Sequence, residues 1–81
     1  MKPQVILYTR VGCCLCDDAK HVIAAARPSA DFDYAEVDIE GDPDLERVYG
    51  HELPVITINQ RKAFKYKVNL HDFLKKLAAV V

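Results

Sequence analysis

Three cysteines stand within four residues, Cys13-Cys14-Leu15-Cys16, and the chain holds no others. Cysteines so close together cannot staple distant segments as the disulfides of a small secreted scaffold do, so their use must be local. Two chemistries are open to them. A dithiol that cycles with a disulfide needs two sulfurs near enough to bridge, one that ionises readily and one that attacks the mixed disulfide afterwards. A metal or iron–sulfur site needs thiolates converging on one point, with zinc, copper(I) or a cluster as occupant.

The flanking pattern sets the geometry. Val5-Ile6-Leu7-Tyr8 is a short apolar run, partly β-branched, and predicts a buried strand. After Gly12, the residues Leu15, Ala19, Val22, Ile23 and Ala26 recur at helical spacing until Pro28 stops them. The cysteines therefore occupy a strand-to-helix turn. With about 100° of rotation per residue, Cys16 falls beside the apolar stripe, whereas Cys14 lies on the opposite side near Asp18 and His21. Cys13, at the helix start, meets the unpaired N–H groups and the positive dipole end that favour a thiolate. It is the candidate nucleophile and Cys16 the candidate resolving thiol. Arg10 also favours the thiolate, while Asp17 and Asp18 oppose it.

A metal centre is less well served by this spacing. Cys14 points away from the other two sulfurs, no second C-x-x-C exists, and His21 shares the outer side with Cys14 alone. His51 and His71 have no thiol neighbours in sequence. No cofactor is expected. A binding module without turnover is a third possibility, and the intact cysteine pair argues against it.

The rest of the chain supplies a scaffold. From Phe32 to Ile39 the pattern alternates, Ala35, Val37 and Ile39 against Tyr34, Glu36 and Asp38, as in a half-buried strand near a sheet edge. Asp42 as N-cap, Pro43 at the first helical position and Gly50 at the end mark a short helix carrying Leu45, Val48 and Tyr49 on one side. Leu53-Pro54 opens the run Val55-Ile56-Thr57-Ile58, and Asn59-Gln60-Arg61 supplies a turn before a second alternating stretch with Phe64 and Tyr66, so a hairpin is predicted. Asn69 can cap a last helix whose Leu70, Phe73, Leu74, Leu77 and Ala78 share a stripe. The predicted fold class is α/β in the order β-α-β-α-β-β-α. A crossover-linked parallel pair and a closing hairpin give a four-stranded mixed sheet with three helices packed on it.

Eighty-one residues make one domain, residues 1–81, near the lower size at which a chain folds alone. A net charge of −1, with no basic run, provides no field for nucleic acid or an anionic membrane, so neither is an expected partner. The apolar run after Met1-Lys2-Pro3-Gln4 is too brief for a signal sequence or membrane span, and a cytoplasmic location is the expectation. Nothing in the chain calls for more than a monomer.

Two separated segments, Tyr8-Thr9-Arg10-Val11-Gly12-Cys13-Cys14-Leu15-Cys16 and Leu53-Pro54-Val55-Ile56, resemble the thioredoxin superfamily and, within it, the small glutaredoxin-like proteins. The resemblance extends over nearly the whole chain and implies a thioredoxin-like, glutaredoxin-type fold. It implies a thiol–disulfide oxidoreductase cycling Cys13 and Cys16, with disulfide-containing proteins or small thiol compounds, glutathione among them, as partners. It further implies a cis Pro54 facing the cysteine pair, with the Leu53 backbone and Pro54 receiving substrate and Arg10, Lys62 and Lys65 as candidate cations for carboxylates. Two departures bear on the substrate. Cys14-Leu15 replaces the usual Pro-Tyr between the cysteines, and Phe64-Lys65-Tyr66-Lys67-Val68 lacks the glycine pair of glutathione-binding members.

Overall fold

The computed structural model describes residues 2–80. The elements are β1 (Gln4–Thr9), α1 (Cys14–Ala26), β2 (Asp33–Asp38), α2 (Pro43–Tyr49), β3 (Val55–Ile58), β4 (Arg61–Lys65) and α3 (Leu70–Val80), in the predicted order. They form one sheet with strand order β2-β1-β3-β4. β1 lies parallel to β2, Gln4 opposite Asp33 and Thr9 opposite Asp38, as a helical crossover requires. β3 runs antiparallel to β1, with Val5 opposite Ile58 and Tyr8 opposite Val55, and β4 closes the hairpin.

Alternation along β1 creates two faces. Val5, Leu7 and Thr9 are buried, while Ile6 and Tyr8 are half-buried on the other side. The core lies on the first face, where Val5, Leu7, Ile56 and Ile58 meet Ala19, Ile23 and Ala26 of α1, Phe32, and Phe73 and Leu77 of α3. Phe73 packs edge-on against Phe32 at 5.6 Å and obliquely against Phe64 at 6.3 Å, so one ring ties α3 to both ends of the sheet.

The second face is covered thinly. Tyr8 stacks on Tyr49 at the end of α2, ring centroids 4.2 Å apart, and no α2 residue is fully buried. What holds α2 is its cap: Asp42 Oδ1 accepts the N–H groups of Asp44 and Leu45, both at 3.1 Å, with Pro43 starting the helix. The β3–β4 turn has Asn59 and Gln60 at φ of +52° and +69°, the pair of left-handed residues that a type I′ hairpin needs.

Burial corrects the sequence expectations at three places. Leu15 is exposed and Cys16 is in the core, because the buried face of α1 is centred on Cys16, Ala19, Ile23 and Ala26, which leaves Leu15 at its margin in the first turn; α1 also begins one residue later than predicted. On the edge strand β2, Ala35 is exposed while Tyr34 is half-buried: Tyr34 shares the face of its partner Val5, and α2 is too short to cover Ala35. Leu70 is exposed at the start of α3, leaving Phe73 and Leu77 to carry the packing. No helix of the described residues is long and apolar enough to cross a membrane.

Candidate active site

The cysteine turn leaves the buried end of β1. Gly12 takes φ +83°, a conformation that a residue without Cβ adopts at little cost, and the Cys13 N–H closes the turn on the Arg10 carbonyl at 3.2 Å. Cys13 is not the first helical residue but the N-cap, extended at φ −83° and ψ 108°. Its Sγ accepts the backbone N–H of Cys16 at 3.2 Å, the part usually played by a serine or aspartate oxygen. A sulfur so placed faces the positive helix end, and a thiolate accepts that N–H more strongly than a thiol does.

The three free thiols differ in access: Cys14 is exposed, Cys13 half-buried and Cys16 buried. Burial pushes the Cys16 thiol above its ordinary range, and the neighbouring Cys13 side chain pushes it further. The Thr9 hydroxyl and the Arg10 backbone act in the opposite direction without reversing the shift. Cys16 therefore holds its proton while Cys13 faces the entrance.

Continuing the β1–β3 register past Tyr8 and Val55 sets Pro54 beside Thr9 and Leu53 beside Arg10. The Leu53–Pro54 peptide is cis, and Pro54 is buried with its carbonyl accepting the Tyr66 N–H at 3.0 Å. Among the described residues, the backbone N–H and carbonyl of Leu53 have no backbone partner. Cys13, Cys16, Arg10, Leu53 and Pro54 thus gather at one end of the sheet.

Arg10 is committed there to another group. Its guanidinium pairs with Glu46 of α2 at 3.3 Å, both side chains half-exposed. Lys62 likewise pairs with Glu52, whose carboxyl it holds below the usual range, and Lys65 lies 5.7 Å over the Tyr66 ring. Among the described residues no group of three His, Cys, Asp or Glu side chains is arranged to hold a metal ion.

Two residues with a bearing on the site escaped sequence reasoning. Thr9 is 8% exposed, its hydroxyl has no hydrogen-bond partner among the described residues, and it acts on Cys16; the inward phase of Val5, Leu7 and Thr9 was its available signal. Glu46, separated from Arg10 by 36 positions, gave none.

Comparison with known proteins agrees with this architecture. Residues 4–78 match the family described as glutaredoxin-like domain (DUF836). An uncharacterized protein of Mycobacterium tuberculosis is 31% identical, the match covering 95% of this chain and 84% of the relative. The X-ray structure of a structural-genomics target from X. campestris superposes with a TM-score of 0.79 at 31% identity, covering 93% of this chain and 96% of that one. Oxidized mitochondrial thioredoxin 3 from Saccharomyces cerevisiae shares the fold, with a TM-score of 0.69 at 14% identity over 96% of this chain and 78% of its own.

Proposed function

Since the chain belongs to the glutaredoxin-like (DUF836) family, we propose that it is a dithiol thiol–disulfide oxidoreductase, with Cys13 as nucleophile and Cys16 as resolving thiol. The observation that carries this is the N-cap hydrogen bond from Cys16 N–H to Cys13 Sγ, which gives the accessible sulfur a built-in stabiliser for its anion.

The cycle runs in two displacements. The Cys13 thiolate attacks one sulfur of a substrate disulfide; the Cys13–substrate bond forms as the substrate S–S bond breaks, and the first substrate thiolate leaves and takes up a proton. Cys16 then loses its proton and attacks Cys13 Sγ, forming the Cys13–Cys16 disulfide and expelling the second substrate thiolate. The substrate gains two electrons and the protein loses two. An external dithiol, or two monothiols, returns them and is oxidised in turn.

The order of the two steps follows from the same geometry. The Cys13 side chain helps hold the Cys16 proton on, by hydrogen bonding and by charge. Once Cys13 is tied up in a mixed disulfide its negative charge is gone, so Cys16 ionises more easily when its attack is needed. Disulfide-bearing proteins or small thiol compounds are the partner class, and the cytoplasm, where protein disulfides are mostly transient and catalytic, is the proposed location.

Single-turnover kinetics of two variants test this. Cys13→Ser should abolish reduction of a disulfide substrate, and Cys16→Ser should accumulate a covalent adduct at Cys13 visible by mass spectrometry. Undiminished reduction by Cys13→Ser would contradict the assignment of the nucleophile.

A further inference from the structure

The net charge of −1 hides a division along the chain. Residues 61–76 hold six of the eleven Lys and Arg residues, Arg61, Lys62, Lys65, Lys67, Lys75 and Lys76, and one of the twelve acids, Asp72. The fold sets these cations side by side, because β4 is an edge strand and α3 packs on the β3–β4 hairpin through the contact of Phe73 with Phe64. Charges of one sign focus their field where they wall a cleft.

A cleft of about 390 Å³ opens between the hairpin and α3, lined by Ile58, Asn59, Arg61, Lys62, Ala63 and Lys76. It is at the end of the sheet away from the cysteines. The Asn59 N–H bonds the Gln4 carbonyl at the start of β1, whereas the cysteine turn follows Thr9, roughly 17 Å along the strand at about 3.4 Å per residue. Lys62 turns its ammonium away, to Glu52 and the Tyr49 ring. Arg61 and Lys76, from different elements, are exposed and make no ion pair among the described residues. Asn59 Oδ1 accepts the Gln4 N–H at 2.9 Å, which leaves the amide NH2 of Asn59 to donate. Among the described residues no carboxylate lines the cleft. Asp72, one turn before Lys76, accepts from the Asn69 amide at 2.9 Å, and Asp33, beyond Gln4, is two strand spacings from Asn59, roughly 10 Å.

The count of charges and donors selects the ligand. A carboxylate brings one charge and two oxygens, enough for one of the two cations. A phosphomonoester brings about −1.5 to −2 at pH 7 and three terminal oxygens. The planar fork of Arg61 suits two of those oxygens, and Lys76 and Asn59 supply donors for the third. Ile58 and Ala63 offer an apolar floor to the rest of the molecule, and the cleft has the size of a small-ligand site.

We propose that this cleft binds the phosphate group of a small organic phosphomonoester. The site is separate from the cysteine pair and does not depend on the oxidoreductase reading. Arg61 and Lys76 neutralise the dianion, Asn59 orients it, and the absence of a lining carboxylate among the described residues leaves their charge uncancelled.

Amide ¹H–¹⁵N spectra of the full-length protein, titrated with phenyl phosphate or benzoate at constant ionic strength, test this. Phenyl phosphate should saturate with shifts centred on Asn59, Arg61, Ala63 and Lys76, at least about tenfold more tightly than benzoate. Arg61→Gln and Lys76→Gln, both at exposed positions, should each weaken it roughly tenfold, as loss of a charge-assisted hydrogen bond requires. Lys67→Gln, outside the cleft, should leave it unchanged. Benzoate binding as tightly as phenyl phosphate, equal weakening by all three substitutions, or no saturable shift at the cleft would overturn the proposal and reduce the cluster to a diffuse basic surface.

Discussion

The Cys13 sulfur lies 3.2 Å from the Cys16 amide nitrogen and caps the helix that contains its own resolving partner. One turn of helix therefore binds the two thiols into a unit with unlike surroundings, Cys13 half-buried at the mouth and Cys16 sealed beneath it. Their unequal burial gives the pair a direction: attack from outside is received at Cys13 and completed from within.

The raised Cys16 thiol makes the second displacement pH-dependent. Resolution of a Cys13 mixed disulfide should accelerate as pH rises from 6 towards the ordinary thiol range near 8.5, since the thiolate is the attacking form. The folding consequence has the opposite sign. A group whose folded pKa is raised contributes stability below its unfolded pKa, and that contribution is lost as pH rises through the folded value. The reduced protein should thus lose thermal stability above about pH 9 more steeply than Cys16→Ala. Parallel melting curves from pH 7 to 10.5 would refute this.

Thr9 should set how readily Cys16 ionises. Its hydroxyl is buried, makes no hydrogen bond among the described residues and lowers the Cys16 pKa, so it is ready to donate to the Cys16 thiolate as that anion forms. Thr9→Val keeps the shape and removes the donor. The pH midpoint of the resolving step should move up by about one to two units and its rate at pH 7 fall roughly ten- to a hundredfold, the effect of losing a hydrogen bond to a charged group worth about 1.5–3 kcal/mol. Thr9→Ser should restore both. A midpoint unmoved by Thr9→Val would show that the residue serves packing alone.

Phe73 is the residue on which α3 depends, with no exposure and two aromatic neighbours from different elements. Phe73→Ala should cost about 3–5 kcal/mol, the range for emptying an aromatic core position. In so small a domain that is a large share of a total stability of about 5–15 kcal/mol. Urea titration measures it, and a loss below about 1 kcal/mol would mean that the α3 packing is not structural support for the sheet.

Gln60 occupies a left-handed position at φ +69° that glycine fills at less cost. Gln60→Gly should therefore leave the protein unchanged or stabilise it by up to about 1 kcal/mol despite the extra freedom of the unfolded chain. A clear loss of stability would place a contact of the Gln60 side chain above the backbone preference of the turn.

Much of this was legible in the sequence because the elements are punctuated by residues with one physical meaning each. Asp42-Pro43 and Asn69 mark helix starts, Asn59-Gln60 a turn, and the periods of apolar residues separate strands from helices. The order of elements and the location of the cysteine pair follow from those marks. What escaped were relations fixed by packing across the chain. Cys13 served as the helix cap, a use the preference for oxygen caps does not anticipate, and Leu15 fell at the margin of the buried face that Cys16, Ala19, Ile23 and Ala26 form against the sheet. Arg10 looked available for substrate until Glu46 met it from α2, and the stack of Tyr8 on Tyr49 depends on how α2 crosses the second face.

The central claim is that Cys13 and Cys16 form one reversible redox couple, and the direct measurement is titration of the full-length protein against defined dithiol–disulfide buffers with mass spectrometry locating the bond. The account predicts a single two-electron transition of about 30 mV per decade, with the disulfide between Cys13 and Cys16 and Cys14 free throughout. A stable disulfide that includes Cys14, or no reversible couple together with stoichiometric bound zinc, copper or iron, would contradict it.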